Sequence, residues 1–235
     1  MIPGTDTVTE PTAADVVDLT ARWRELDARF GKARKRARKR VDDGDPALLT
    51  DRGSAVVLTA PHGTRHYRAG AMKAADLHTG SLTLLAGEVA NVSTVVSAGA
   101  RAEWDTWDER DDAFARHLRD LRDPARMLID IHGMGDHHGP DFCLGTGPRP
   151  GPLEALAVEI LRTELEPFEV AVDAPFDARP HYTVTSLAQR HLGLAGLQIE
   201  VAARWRSPHD DASTPAVAAL STALTVVEEQ LREAA

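Results

Sequence analysis

Short apolar runs alternate with amphipathic segments along most of the chain, and this alternation predicts the fold class. Between residues 15 and 41, apolar side chains recur every three or four positions, which is typical of a helix. The predicted strands lie at 55–59, 92–97, 126–132, 169–172 and 195–202. The other predicted helices lie at 75–89, 108–121, 152–165, 185–191 and 214–233. Apolar strands separated by helices indicate an α/β fold with a largely parallel or mixed central sheet flanked by helices.

The helical pattern breaks at residues 42–46, where two aspartates precede a Gly-Asp-Pro sequence. We therefore divide the chain into an N-terminal leader and basic helix at 1–45 and an α/β domain at 46–235. No apolar run approaches the roughly 20 residues that cross a bilayer. The N-terminus lacks the basic start and apolar stretch of a signal peptide, and the single Cys143 rules out an internal disulfide. We expect a cytoplasmic protein without membrane partners.

The chain is acidic as a whole but contains one strongly basic segment. A net charge of −9 argues against a general nucleic-acid-binding surface. Residues 32–40, however, carry seven positive charges in nine positions. This basic run is either a solvated end of the first helix, where cations suit the helix dipole, or a patch for RNA, phosphate or an acidic partner.

Residues that can bind metal or move protons stand where the predicted strands end. His62 follows the first strand of the domain, His132 ends the strand at 126–132, and Glu200 lies near the end of the last strand. In α/β sheets, ligands collect at the carboxyl ends of the strands. We therefore expect these three side chains to lie at one edge of the sheet.

His132 and Glu200 each have a local feature that points to chemistry. Asp130 and His132 share a strand face, because side chains alternate along a strand, and a carboxylate there can orient a ligating imidazole. Glu200 lies within an apolar strand and needs a partner if it is charged. That partner is either a nearby arginine, Arg204 or Arg206, or a metal-bound water for which Glu200 is the general base.

Four segments together resemble the N-formylglutamate amidohydrolase family, a relative of the zinc carboxypeptidases. They are Ala60-Pro61-His62-Gly63, residues 73–80 (KAADLHTG), Asp130-Ile131-His132-Gly133-Met134 and Leu197-Gln198-Ile199-Glu200-Val201, and the resemblance covers about residues 55–232. It implies a metallohydrolase domain whose metal is held by His62, Asp76 and His132. It also implies cleavage of a C–N amide bond.

The acidic ligand departs from the carboxypeptidase pattern, in which it follows the first histidine by three positions. Arg65 occupies that place here and cannot coordinate a cation. Asp76 is the ligand implied by the resemblance. It can also be read as the N-cap of the following helix, and His78 is an alternative ligand. Two imidazoles and one carboxylate suit a single Zn²⁺ ion, while Mn²⁺ and Fe²⁺ also fit these donors.

The predicted chemistry assigns Glu200 as the base and an arginine as the group that holds a substrate carboxylate. Arg206 is the first choice, with Arg179 and Arg204 as alternatives. The residues predicted at the mouth of the site are His66, Arg68 and Lys73, with the pair His137-His138 in a loop above it. A second metal at that pair is a further alternative. Cys143 is predicted to be a small buried apolar residue.

The function predicted from these residues is hydrolysis of a small N-acylated amino acid or peptide-like substrate by zinc-activated water. Two alternatives stay open. The first is a non-catalytic metal- or ligand-binding protein on the same fold, and the second is an adaptor that binds RNA or a partner through the basic run. Fold alone does not separate an enzyme from a binding protein. Retention of Glu200 favours the enzyme, because a binding module needs no base there.

Overall fold

A mixed seven-stranded sheet lies at the centre of the protein in a computed structural model of the chain. The structure describes residues 13–37, 47–99, 101–103, 113–121 and 123–234, without the side chains of 13–17, 32–37 and 101–103. Its strands are β1 (Ala47–Thr50), β2 (Val56–Ala60), β3 (His66–Arg68), β4 (Ala71–Lys73), β5 (Ser93–Ser97), β6 (Arg101–Glu103), β7 (Met127–Met134), β8 (Phe142–Gly145), β9 (Val170–Val172) and β10 (Ala195–Ala202). Its α-helices are α1 (Ala13–Ala37), α2 (Thr79–Val89), α3 (Ala113–Arg119), α4 (Pro152–Glu164), α5 (Val184–Leu187) and α6 (Thr214–Glu233).

The central sheet has the order β1-β5-β2-β7-β10-β8-β9. Its inner strands β5, β2, β7 and β10 are parallel, whereas β1 pairs antiparallel with β5 and β8 pairs antiparallel with β10. The predicted α/β fold with a largely parallel or mixed sheet is therefore confirmed. The short strands β1 and β8 were not predicted, because four residues next to glycine and proline give too weak a pattern.

Two hydrophobic clusters cover the two faces of this sheet. On one face, Val56, Leu58 and Ile129 pack with residues of α1, α2, α4 and α6. On the other face, Val57 and Leu128 pack with residues of α3 and α5. The side chains alternate between the faces, as a strand requires. Since Asp130 and His132 share the parity of Leu128, they lie on the face of α3 and α5, beyond the cluster.

A second, smaller sheet has the order β4-β3-β6, and its strands β3 and β4 follow β2 in the chain. The strands β3 and β4 form a hairpin whose turn places Ala69 and Gly70 at positive φ. Three-residue strands carry no readable periodicity, so this sheet was not predicted. It brings residues 66–68 back towards the end of β2 and so adds a wall to the region of His62.

Helix α1 packs against α2 and α6 and contributes Trp23 and Leu26 to the larger cluster. Arg22 on α1 binds Glu88 on α2, with Nη2 2.7 Å from Oε1. Thr20 and Thr214 of α6 share a buried hydrogen bond of 2.7 Å. The predicted N-terminal helix is thus present, while the side chains of the basic run at 32–40 lie outside the described residues. Of the helices that the structure describes, none has the length and apolar character to cross a membrane.

Candidate metal centre and cavity

The carboxyl ends of β2, β7 and β10 bring the predicted site residues together. Because β7 and β10 are parallel and in register, Glu200 lies directly opposite His132. His62 follows the end of β2, the strand on the other side of β7. All three side chains are buried, with exposed fractions of 6–7%. The expectation that these residues share one edge of the sheet is met.

His132 is held by a carboxylate, as the alternation along β7 predicts. Its Nε2 lies 2.7 Å from Asp130 Oδ2, and Asp130 Oδ1 accepts a 2.6 Å hydrogen bond from the Thr59 hydroxyl. A carboxylate only accepts, so Nε2 carries a proton, and Nδ1 is the nitrogen that is directed at Asp76 and that a metal ion would bind after losing its proton. Burial lowers the pKa of His132, but the charges of Asp130, Asp76 and Glu200 outweigh burial and hold it well above its usual value.

Asp76 lies between the two histidines. Its Oδ2 is 3.5 Å from His132 Nδ1 and 3.8 Å from His62 Nδ1, and it accepts a hydrogen bond from the Gly133 amide at 3.2 Å. The Asp76 amide donates to the His62 carbonyl at 2.9 Å, which ties the two ligand segments together. Helix α2 begins at Thr79, and the carboxylate of Asp76 does not cap it. The alternative reading of Asp76 as a helix cap is not what the structure shows.

His66 and His78, which flank this region, do not converge with these donors. The rings of His66 and His62 stack face to face, with centroids 3.9 Å apart and planes at 7°. Burial lowers the pKa of His66 to about 4, so its ring is neutral beside the site. The His78 Nδ1 lies 3.0 Å from Asp27 Oδ1 on α1 and takes no part in the set.

The donor set fits a divalent metal ion. One ligand atom each from His62, Asp76 and His132 can be chosen so that all lie within 4.8 Å of one another, and no other such set of three occurs among the described residues. Two imidazole nitrogens and one carboxylate oxygen match a catalytic zinc site, which leaves a position open for water or substrate. The outer carboxylate on His132 is the partner that such ligands usually have.

A cavity of about 390 Å³ opens in front of these residues. Glu200 lines it, and burial, helped by the charge of Asp76 and opposed by that of His132, raises the pKa of Glu200 to about 7. Gln198 lines the cavity beside it and donates from Nε2 to Glu200 Oε1 at 3.0 Å. The remaining walls come from Arg68, from residues 133–135 and His138, and from the segment 175–183.

Arg206, the arginine predicted to hold the substrate, does not line the cavity. Its guanidinium donates to three backbone carbonyls. They belong to Val201 near the end of β10, to Met134 at the end of β7, and to Leu77, the residue after Asp76. The guanidinium packs closely against the backbone, since a Cβ added at Gly133 would lie 2.6 Å from Arg206 Cζ. Arg206 therefore joins the three segments that form the site.

The other candidate residues do not belong to the metal donor set. Arg204 binds Asp141 and Asp136, and Arg179 is exposed near Asp173 and Asp177. Lys73 is exposed on β4, and His137 and His138 form an exposed turn in which only His138 reaches the cavity. Cys143 is buried, as predicted.

Sequence reasoning missed Gln198, Thr59 and the 175–183 wall. Thr59 is a polar residue at the end of an apolar strand, and Gln198 shares a face with Glu200, so both carried a readable signal. The wall carried none, because it is an irregular segment that reaches the cavity only through the pairing of β8 with β9 and β10.

The chain has an α/β fold like that of carboxypeptidases and related amidohydrolases, with a His-Asp-His set that can bind a metal ion. No protein-family model and no curated protein sequence matches it.

Solved structures give the particular similarities. N-formylglutamate amidohydrolase from Ralstonia eutropha JMP134 superposes with a TM-score of 0.57 and 13% identity over 81% of this chain and 100% of that one. A bacteriophage poly-gamma-glutamate hydrolase gives 0.52 and 12% over 83% and 93% of the two chains. A metallo-carboxypeptidase from Pseudomonas aeruginosa gives 0.50 and 15% over 89% and 70%. The predicted resemblance is confirmed at the level of the fold.

Proposed function

We propose that this protein is a metal-dependent hydrolase that cleaves the amide C–N bond of a small N-acylated amino acid or peptide-like compound. The observation that carries the proposal is the convergence of His62, Asp76 and His132 at one edge of the sheet, with Glu200 on the neighbouring strand. A Zn²⁺ ion held by the three ligands would polarise the scissile carbonyl and lower the pKa of water to roughly 7. Mn²⁺ and Fe²⁺ suit the same donors.

Glu200 is the proposed general base. It would take the proton of the attacking water and later deliver it to the departing nitrogen, which needs a carboxylate whose proton affinity lies near neutrality. Burial raises the pKa of Glu200 to about 7, and the Gln198 amide donates a hydrogen bond to one of its oxygens. This carboxylate distinguishes the enzyme from a protein that only binds metal.

The remaining residues would hold the geometry. Asp130, which accepts from His132 Nε2, would keep Nδ1 directed at the metal. Arg206, through its carbonyl contacts, would keep the Asp76 segment against the ends of β7 and β10, which is a positioning role. The similar structures named as hydrolases of N-formylglutamate and of poly-gamma-glutamate make acylated amino acids the first compounds to test.

The test begins with the metal content of the purified protein, measured by elemental analysis. Hydrolysis of N-formyl and N-acetyl amino acids is then followed before chelation, after chelation and after metal is restored. We expect about one equivalent of metal and turnover that disappears with the chelator and returns with Zn²⁺. Turnover that survives complete removal of metal would contradict the proposal, as would a purified protein that binds no divalent metal.

A further inference from the structure

Arg68 lies on the wall of the cavity that the small sheet supplies. Side chains alternate along β3, so His66 and Arg68 share one face and Tyr67 occupies the other. The His66 ring stacks on the His62 ring, which fixes this face towards the metal site. Tyr67 is 43% exposed on the opposite side. Arg68 therefore lines the cavity two residues along the strand from a direct neighbour of a metal ligand.

The guanidinium of Arg68 has no hydrogen bond and no ion pair with any residue that the structure describes. Its neighbours around the site differ in this respect. Arg204 is engaged by Asp141, Asp136 and the Gly139 carbonyl, and Arg206 by three backbone carbonyls. Of these three arginines, Arg68 is thus the one whose guanidinium is left to bind a ligand in the cavity.

The acidic groups of the cavity are already assigned. Asp76 belongs to the metal donor set, Glu200 is the proposed base, and Asp177 accepts a 3.0 Å hydrogen bond from the Arg179 amide. Among the described residues that line the cavity, Arg68 is the sole lysine or arginine. A lone planar guanidinium on the wall of a small polar cavity has the geometry to grip a carboxylate with two hydrogen bonds.

We propose that Arg68 binds a carboxylate of the substrate and so selects free acids over neutral analogues. The inference rests on the proposed function for the reaction that follows, but not for the binding step. It moves the anion-binding role from Arg206, where the sequence suggested it, to a residue of the hairpin formed by β3 and β4.

The test compares each N-formyl amino acid with its neutral primary amide. Turnover is measured as kcat/KM with the metal-loaded wild type, Arg68→Gln and Arg68→Lys. Arg65→Gln is the matched control, because Arg65 is exposed in the same segment and does not line the cavity. Binding of the same acids and amides is measured by calorimetry on metal-loaded Glu200→Gln protein, with and without Arg68→Gln.

We expect Arg68→Gln to weaken acid binding and to lower kcat/KM for the acids by about 10- to 100-fold, the usual range for a hydrogen bond to a charged group. Values for the amides and the metal content should not change. Arg68→Lys should restore part of the loss, since lysine keeps the charge but not the paired geometry. Arg65→Gln should behave as wild type.

Several results would overturn the inference. They are an acid preference that survives Arg68→Gln, an equal loss for acids and amides, and the absence of any acid binding to the loaded protein. Failure of the proposed function looks different. In that case no compound is turned over in a chelator-sensitive way, yet acids still bind and still depend on Arg68.

Discussion

The two halves of the metal site are held in place by different means. The strand half consists of His132 and its supports Asp130 and Thr59, all on the adjacent strands β2 and β7. The loop half consists of His62 and Asp76, on segments without regular structure. In the strand half, the sheet register fixes the distances between these three side chains. The loop half lacks that constraint and depends on what packs against it.

Helix α1 is what packs against the loop half. The Phe30 ring lies over Gly80 and Gly63, where an added Cβ would meet it at 2.4 Å and 3.3 Å. Asp27 accepts hydrogen bonds from Ser81 Oγ at 2.7 Å and lies 3.0 Å from His78 Nδ1. These contacts flank His62 and Asp76 in sequence. One half of the site is therefore positioned by the pairing of strands, and the other half by the packing of a helix against loops.

The largest effect is expected when Glu200, the carboxylate next to the strand half, is replaced. Glu200→Gln keeps the shape and much of the hydrogen bonding of the side chain but cannot accept a proton, so we expect kcat to fall by about 10²–10⁴-fold. Fold and metal content should be retained, and Glu166→Gln, on the surface, should change nothing. Kinetics and elemental analysis give both readouts.

Other outcomes for Glu200→Gln have definite meanings. Loss of the metal would make Glu200 a ligand. Near-normal turnover would remove Glu200 from the mechanism and leave Asp136 or Glu103 to be tested. Unfolding would mean that Glu200 serves mainly to stabilise the sheet edge.

The next prediction concerns the support of the strand half. Asp130→Asn removes the negative charge that orients His132, and loss of such an outer partner typically weakens metal affinity about 10- to 100-fold. Metal affinity is measured by competition with a chromogenic chelator, with the exposed Asp120→Asn as control. An unchanged affinity would show that the strand holds His132 without help from the carboxylate.

A smaller effect is expected when the helix contact of the loop half is disturbed. Gly80→Ala places a methyl group against Phe30, and Gly87→Ala on the same helix places one 2.2 Å from the Thr94 side chain. Overpacking of this kind costs about 1–3 kcal/mol in stability. We expect both variants to unfold more easily, but only Gly80→Ala to lose metal affinity, by about threefold to tenfold.

Calorimetric unfolding and the same chelator competition separate these two effects. Equal metal affinities for Gly80→Ala and Gly87→Ala would show that α1 is a scaffold with no influence on the ligands. A loss confined to Gly80→Ala would show that the helix belongs to the site.

The smallest expected effect is on the basic run. Replacing its seven cations with neutral residues should leave metal content and turnover of small substrates unchanged, because the contacts of α1 with the loop half come from Asp27 and Phe30, which precede the run. Activity assays on the full chain check this, and a large loss of turnover with the metal retained would place the run at the active site. The residues replaced are Lys32, Arg34, Lys35, Arg36, Arg38, Lys39 and Arg40.

The sequence by itself determined the parts of the molecule that local pattern encodes. Apolar runs located the inner strands β2, β5, β7 and β10, because a strand buried on both faces must be apolar along its length. The polar residues at the ends of those strands, His62, His132 and Glu200, could then be assigned to one edge. The pairing of Asp130 with His132 followed from the two-residue alternation.

The tertiary structure decided which of several candidate side chains come together in the site. Asp76 and His78 lie two residues apart in the same loop. The carboxylate of Asp76 faces His62 and His132, whereas the ring of His78 faces Asp27. Arg206 and Arg68 are equally suited to a carboxylate, but one is bound by carbonyls and the other lines the cavity. Such choices depend on side-chain direction and on contacts between distant segments, which no periodicity along the chain records.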